Sequence, residues 1–521
     1  MKLSELAAVL SLSPPMEGEA EISSLTEDSR DLSPGALFAA IPGSRADGRD
    51  FAAEAARRGA AAVLWPLDQK LPLPPKDLPV PVLEAPASGF RSLVSRAARE
   101  IYGRPDEKLK VVGLTGTNGK STVSYLLEAM LSRSGQKPGV IGTVNYRFGG
   151  FGREAPNTTP EGPLLYRTLS QWAAKGATHA VMEISSHALS LGRVRDLRVE
   201  AALFTNLTRD HLDFHGSMED YYQAKRALFF ENLADKNKAA VCLEDDYGQR
   251  LFGELGQSPL SYGFDSPAKI RAEEMVLDRS GAGFLAVTPK GSFRVKSPLL
   301  GSFNVLNSLG AIALGQILGL DDQAMAEALA SCQGAPGRLQ KAGGDYLALI
   351  DYAHTPSALA AAMESLKALR PKNLIVVFGC GGDRDKGKRP LMGREAARIS
   401  DLPILTSDNP RGEDPMAIIE EAAAGLKELG LKPVSGESLE GGGGQGGLKG
   451  ELSAGSLAGS FVIEPDRRKA IRLAAKIMGK DDLLLIAGKG HEAYQLAKGV
   501  KTRFDDAEEA ILALKAEGKL K

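Results

Sequence analysis

Residues 109–122 read LKVVGLTGTNGKST, and no other stretch limits the fold as tightly. Val111, Val112 and Leu114 form a strand-length, nearly unbroken apolar run, the pattern of a strand buried on both faces of a parallel sheet. The following VSYLLEAMLSR repeats apolar residues at helical spacing. Strand, glycine turn and helix in that order bring phosphate to the N–H groups at a helix N-terminus. Gly116 and Gly119, with Thr117 and Asn118 between them, would let the backbone close around phosphate oxygens. Lys120 would reach the β- and γ-phosphates, and Ser121 or Thr122 could hold magnesium. The spacing departs from the usual phosphate loop, whose first glycine would fall where Leu114 stands. A plain glycine turn is the alternative, and Gly-Lys-Ser-Thr at the helix start favours the nucleotide.

A chain of 521 residues exceeds one ordinary core, and its length suggests about three domains. The formal net charge of −1 gives no basic field that would draw nucleic acid or a membrane surface. Cys242, Cys332 and Cys380 are far apart, with no CxxC pair, which suits a reducing cytoplasm and neither a disulfide frame nor a zinc site. The start, MKLSELAAVLSLSPP, reads as an amphipathic helix rather than a signal peptide, and no apolar run reaches membrane-spanning length. The expectation is a cytoplasmic α/β protein, monomeric and without membrane insertion.

Residues 1–105 read as a first small α/β domain, ended by a helix that stops at Gly103 and Pro105. Asp28, Ser29 and Arg30 sit on a turn suited to ligand contact, though such residues are more often simply solvated. Residues 106–336 alternate strands and helices around the phosphate loop, as in a mostly parallel ATPase sheet. Two strand ends there carry polar clusters: Glu183, Ser185, Ser186 and His187, then Asn206, Asp210, His211, Asp213 and His215. Carboxyl ends of parallel strands are where ligand chemistry collects, and three of the six histidines fall in these two clusters. On sequence alone, Lys225 reads as a surface lysine paired with Glu219 or Asp220. Residues 337–521 suggest a dinucleotide-fold-like third domain without GxGxxG. Its polar strand ends hold Asp351 to His354, the basic turn ending at Arg389, Asp408 to Arg411, and Gly488 to Glu492. Residues 434–460, rich in glycine and serine, read as a flexible insertion.

GTNGKST, NTTPE, MEISSHAL, TNLTRDHLDFHG, YYQAKRALF, DYAHTP, GGDRDKGKRPLMG, SDNPRGEDP and AGKGHE together resemble the Mur ligases, in order along nearly the whole chain. The resemblance is strongest to members that extend a UDP-N-acetylmuramoyl dipeptide with meso-diaminopimelate. It implies a UDP-sugar-binding first domain, an ATP-binding centre and an amino-acid-binding third domain. It also implies ATP-dependent amide synthesis, in which the γ-carboxylate of D-glutamate is phosphorylated and the acyl phosphate is attacked by an amine. By resemblance Lys120, Glu183, His211 and Lys225 are catalytic, and Ser121, Glu183, His211 and Lys225 surround Mg²⁺. Lys225 would act there as a CO₂-derived carbamate, which reverses the surface reading. Residues 116–122, Asn304, Arg338, Asp351 and His354 would hold ATP, and Ser29, Asn157, Thr158, Thr159, Ser185 and Arg193 the UDP substrate. Arg411, with Arg389, Asp408, Asn409, Pro410, Gly488 and Glu492, would hold diaminopimelate, its guanidinium gripping the distal carboxylate that lysine lacks. A lysine-adding relative, a folylpolyglutamate-type ligase, a switch ATPase and a non-catalytic binding protein on the same fold are the alternatives. A lysine substrate would give Arg411 no distal anion to meet, and the folate-type reading explains neither DNPR nor the first domain.

Overall fold

Short runs of β-branched and aliphatic residues bounded by glycine or polar turns become the strands of a computed structural model. It describes all residues except 16–17, 44–45, 257, 266, 441–452 and 521. The chain folds into two compact units. The first comprises Met1–Glu273, Leu285–Val295 and Leu306–Leu329, and the second Glu274–Phe284, Lys296–Val305 and Ala330–Lys521.

The first unit contains two sheets. β1 (Ser24–Thr26), β2 (Ala36–Ala39), β3 (Ala62–Leu67) and β4 (Val82–Pro86) pair in parallel in that order. Leu37, Leu64 and Leu83 pack on Leu3 and Leu6 of the expected N-terminal helix, Leu3–Val9. The helix Phe90–Ile101 leads out of this sheet and meets the helix Gly162–Ala174 so closely that a Cβ on Gly162 would lie 2.5 Å from the Ser95 backbone. Ion pairs Arg91–Glu161 (2.7 Å) and Arg167–Asp31 (2.7 Å) fasten the two sheets, so the first two expected domains share one compact unit.

The larger sheet is built from β5 (Lys110–Thr115), β6 (Pro138–Ile141), β7 (Asn145–Phe148), β8 (Phe151–Glu154), β9 (His179–Glu183), β10 (Ala201–Phe204), β11 (Ala239–Cys242) and β12 (Leu260–Gly263). It continues through β13 (Ile270–Asp278), β14 (Gly281–Thr288) and β15 (Gly291–Ser297), whose residues are divided between the units. The strand order is β15-β14-β13-β12-β11-β10-β5-β9-β6-β7-β8. β5 lies between β9 and β10, parallel to both, with Leu114 opposite Glu183 and Thr115 opposite Phe204. The chain leaves β5 toward β6 on one side and later reaches β10 on the other. The strand ends bordering this reversal are where an α/β sheet opens a ligand crevice.

In the second unit β16 (Gln340–Lys341), β17 (Leu347–Asp351), β18 (Leu374–Phe378), β19 (Leu402–Leu405), β20 (Lys432–Ser435), β21 (Ser460–Ile463) and β22 (Leu483–Ala487) form one sheet in the order β16-β17-β22-β18-β19-β21-β20. All but β16 are parallel, and a hairpin of β23 (Tyr494–Ala497) and β24 (Val500–Arg503) follows. Apolar cores cover both faces, one holding Leu359, Met392 and Ile419, the other Ile471, Ala474 and Leu514. Asp466 caps the helix Arg467–Ile477 by accepting from Arg468 N (2.9 Å) and Lys469 N (3.2 Å). Replacing Asp466 with alanine should therefore cost about 1 kcal/mol, read as a lower urea midpoint at unchanged slope.

The expected insertion at 434–460 is corrected at its flanks. Val434 and Ser435 lie in β20, which pairs with β21, and Ala454 and Leu457 are buried in a short turn of helix. Burying those apolar side chains gives the flanks a core contribution that glycine content alone does not reveal. Residues 441–452 lie outside the described residues. Among the described residues no helix is long and apolar enough to cross a membrane.

Candidate active site

The turn after β5 is a left-handed glycine path: φ is +140° at Gly116 and +89° at Gly119, values side chains rarely adopt. A Cβ on Gly116 would lie 1.9 Å from Thr205 Oγ1. β10's exit pins the turn: Thr117 N donates to Asn206 O (2.9 Å), Asn118 N to Asn206 Oδ1 (2.9 Å), and Thr205 Oγ1 to Asn118 O (2.6 Å). The helix Lys120–Arg133 starts immediately after, so the N–H groups of its first turn face the loop. Lys120 Nζ donates to Gly116 O (2.8 Å) and Thr117 O (2.9 Å), folding its charge over that turn.

Glu183, at the end of β9, is 1% exposed and surrounded by donors. Ser121 Oγ (3.0 Å) and Thr143 Oγ1 (2.8 Å) donate to Oε2, and Thr143 N donates to Oε1 (3.0 Å). Gly142 lies flat against the carboxylate, where a Cβ would come within 2.3 Å of Oε1. Thr143 is a site residue that the sequence reading misses; its one signal is the glycine before it at the end of a buried strand.

Lys225 is not a surface lysine. It is 2% exposed, its Nζ donates to Gly116 O (2.7 Å) and lies 4.6 Å from the centre of the Tyr221 ring. Burial, followed by the charge of Lys120, pushes its pKa well below that of an ordinary lysine. The acids expected to pair with it face elsewhere: Glu219 binds Arg250 (2.6 Å), and Asp220 accepts from Ser217 Oγ (2.6 Å).

The histidines converge. His187 lies 4.9 Å from His211 and 5.5 Å from His215, ring centre to ring centre, and His215 Nε2 is 2.9 Å from Ser186 Oγ. Burial and the two neighbouring imidazoles lower the His187 pKa to about 4, leaving it neutral. His211 itself is half exposed, at a left-handed backbone position, with Nε2 3.5 Å from Asp210 Oδ2.

Most of the expected UDP-substrate residues also meet. Thr159 Oγ1 donates to Glu183 O (2.8 Å) and accepts from Ser185 N (3.0 Å). Arg193 Nη1 donates to Thr159 O (3.0 Å), Thr158 Oγ1 is 3.0 Å from Thr143 Oγ1, and Asn157 O accepts from Tyr146. Ser29 is buried on the turn after β1, beside the Arg30–Asp28 pair (2.8 Å).

In the second unit, Asn304 Nδ2 donates to Leu300 O (2.8 Å). Asp351 accepts from Leu339 N (2.8 Å) and Ala353 N (2.8 Å), which sets the turn that carries Arg338 over the Tyr352 ring at 4.9 Å. His354 Nδ1 is 2.8 Å from Tyr352 O. The ends of β19 and β22 bring Asp408, Asn409, Lys489 and Glu492 into one network. Lys489 Nζ lies 3.1 Å from Asp408 Oδ1 and donates to Asn409 Oδ1 (3.0 Å), while Asn409 Nδ2 donates to Glu492 Oε2 (2.9 Å). Burial alone would raise the Asp408 pKa, but Lys489 and Arg467 outweigh it and hold it below the usual carboxylate value. Glu492 goes the other way, raised by burial and by Asp408. Gly488 has φ +120°, and a Cβ there would lie 3.4 Å from Asp408 Oδ2. Arg411, after Pro410, sits at φ +53° and donates from Nη1 to Gly382 O (2.7 Å).

Arg389 departs from the expectation of a ligand-facing cation. It is 0% exposed, binding Glu413 (2.7 Å) and Glu421 (2.8 Å), so its charge braces the loop carrying Arg411.

Residues 21–100 match the Mur ligase family, catalytic domain; residues 114–315 match the Mur ligase middle domain; residues 337–490 match the Mur ligase, glutamate ligase domain. The chain belongs to the Mur ligase family. Among its relatives, UDP-N-acetylmuramoyl-L-alanyl-D-glutamate--2,6-diaminopimelate ligase of Geobacter metallireducens is 41% identical, covering 99% of this chain and 98% of that protein. The protein of the same name from Solibacter usitatus is 40% identical, over 99% of each. A solved structure of a ligase of that name superposes with TM-score 0.64 at 32% identity, covering 99% of both chains.

A Mur ligase centre of this kind can be tested for magnesium by its donors. Ser121, Thr143 and Glu183 offer three oxygen groups in contact, the hard donors Mg²⁺ takes. Among the described residues no three His, Cys, Asp or Glu side chains form a ready-made metal cluster. A protonated Lys225 would repel a dication, whereas a carbamate on it would add anionic oxygen donors.

Proposed function

We propose that this Mur ligase joins meso-diaminopimelate to the γ-carboxylate of D-glutamate in UDP-N-acetylmuramoyl-L-Ala-D-Glu, with ATP converted to ADP and phosphate, in peptidoglycan precursor synthesis. The observation that carries this reading is full-length identity of 41% to a relative of that name, with Arg411 present in the DNPR turn. The proposed division is 1–105 for the UDP-sugar, 106–336 for ATP and 337–521 for the amino acid, acting as a cytoplasmic monomer.

A carboxylate is a poor electrophile, so one of its oxygens first takes the γ-phosphoryl from ATP, and ADP leaves. The substrate amine then attacks the acyl carbon, a proton is lost and phosphate departs. Lys120 and the N–H groups of residues 116–122 receive the growing phosphate charge. Mg²⁺, held by Ser121, Glu183, His211 and the Lys225 carbamate, would supply further charge neutralisation. Thr143 keeps the Glu183 carboxylate turned toward Ser121. Thr159, Ser185 and Arg193, supported by Asn157, Thr158 and Ser29, orient the UDP substrate. Asn304, Arg338, Asp351 and His354 contact the nucleotide.

Phosphate release tests the reading. It should require the UDP-dipeptide and diaminopimelate together, and lysine should serve poorly. Release independent of any amine would replace the ligase by a switch ATPase, and equal use of lysine would remove the proposed role of Arg411. Arg411→Ala should raise the diaminopimelate KM well over tenfold, as the loss of about 2–5 kcal/mol from a charge-assisted pair requires. Binding of the UDP substrate should stay within about twofold of wild type.

A further inference from the structure

The GKGHE turn contains a buried cation that the proposed reaction does not use. Lys489 is 0% exposed, and besides Asp408 and Asn409 it reaches Tyr494 O (2.9 Å). Two donors, Lys489 Nζ (3.0 Å) and Leu496 N (2.9 Å), point at the same atom of the Asn409 side chain. Neither can accept, so that atom must be the amide oxygen, and the NH₂ is forced toward Glu492. The orientation of Asn409 is thus decided by the lysine and a backbone N–H.

We propose that Lys489 is a positioning residue for the amino-acid substrate: it locks the Asn409 amide with its nitrogen on Glu492 and pairs with Asp408, fixing three ligand-facing groups at once. This rests on the assignment of the amino-acid site to the ends of β19 and β22. The geometry has a supporting layer. Arg467, also buried, binds Asp506 (2.6 Å) and donates to Ala487 O (3.0 Å), holding the strand end from which Gly488 and Lys489 emerge. Gln495 Nε2 donates to Asp408 O (2.7 Å), closing the ring from the hairpin side. The charge pattern suits a zwitterionic substrate: Asp408 and Glu492 for an ammonium, Arg411 for a carboxylate. Without Lys489 the Asn409 oxygen keeps Leu496 N as its one donor and Asp408 loses its cation, so both side chains are held less firmly.

The test uses the full-length enzyme and whichever amino acid the wild type turns over, so a failed diaminopimelate assignment is seen first in the wild type. Lys489→Met should raise the KM for that amino acid about tenfold or more, with KM for ATP and the UDP substrate within about twofold. Lys489→Arg, which keeps the charge and the donors, should recover part of the loss. Should Lys489→Met fail to fold, Asn409→Asp supplies the second test. It keeps an oxygen toward Lys489 but sets a second carboxylate oxygen against Glu492, and should raise the same KM by a similar factor, with KM for ATP and the UDP substrate within about twofold. Equal rises in all three KM values, or an unchanged amino-acid KM in Asn409→Asp, would overturn the proposal.

Discussion

Lys120→Met is expected to reduce turnover by at least about 10³-fold while leaving the melting temperature close to that of the wild type. The reaction sets a carboxylate against a triphosphate, and two anions approach only where positive charge is already in place. In the structure the ammonium rests on the carbonyls of Gly116 and Thr117, at 2.8 and 2.9 Å, over the turn. In the proposed role the lysine would exchange those two bonds for phosphate oxygens, and this pose keeps the cation at the turn with its hydrogen bonds satisfied. Methionine keeps the length and the apolar stem and removes only the charge. The main effect should therefore fall on kcat, since charge develops as the phosphoryl group moves. Isothermal titration with a non-hydrolysable ATP analogue separates the cases. Nucleotide affinity lost in proportion to turnover would make Lys120 a binding residue alone.

Much of this centre is legible in the sequence because parallel strands buried on both faces must be continuously apolar, and their ends must then be polar. VVGLT, HAVME, AALF, LALID and LLLIA are such strands, and Glu183, Asp351 and Gly488 lie at or just beyond their ends. The fate of long side chains is not legible. Lys225 stands only five and six residues from Asp220 and Glu219, and nearness in sequence cannot say that Arg250 and Ser217 take those acids and leave the lysine inside. Arg389 lies in a basic glycine turn that reads as open, but Glu413 and Glu421, from beyond the next strand, bury it. Thr143 carries no motif. Its role appears only when Gly142 brings the backbone against Glu183. The strands β7, β8 and β13 to β15 also escape the sequence reading, since an alternating scheme of strand and helix leaves no place for strands that follow one another directly.

Lys225→Ala should lower turnover by about 10²–10³-fold, and the loss should be partly restored by millimolar formate or acetate. The argument begins with burial. An ammonium 2% exposed with the charge of Lys120 nearby is disfavoured, so burial shifts the balance toward the neutral amine relative to an ordinary lysine. A neutral amine is the form that adds CO₂: the nitrogen lone pair bonds to carbon, one proton leaves, and a carbamate anion results. The positive charge that burial opposes is then replaced by a negative one, which Lys120 and a dication can balance. Alanine leaves a space of side-chain length beside Gly116 O, and a small carboxylate entering it would supply the missing anion. Two measurements tie the effect to chemistry rather than packing. Wild-type activity should fall in CO₂-depleted buffer and return with bicarbonate, and ¹³C-bicarbonate should give a carbamate resonance absent from Lys225→Ala. If the variant lost activity without carboxylate rescue and the wild type gave no such resonance, Lys225 would act only as a buried hydrogen-bond donor to the phosphate loop.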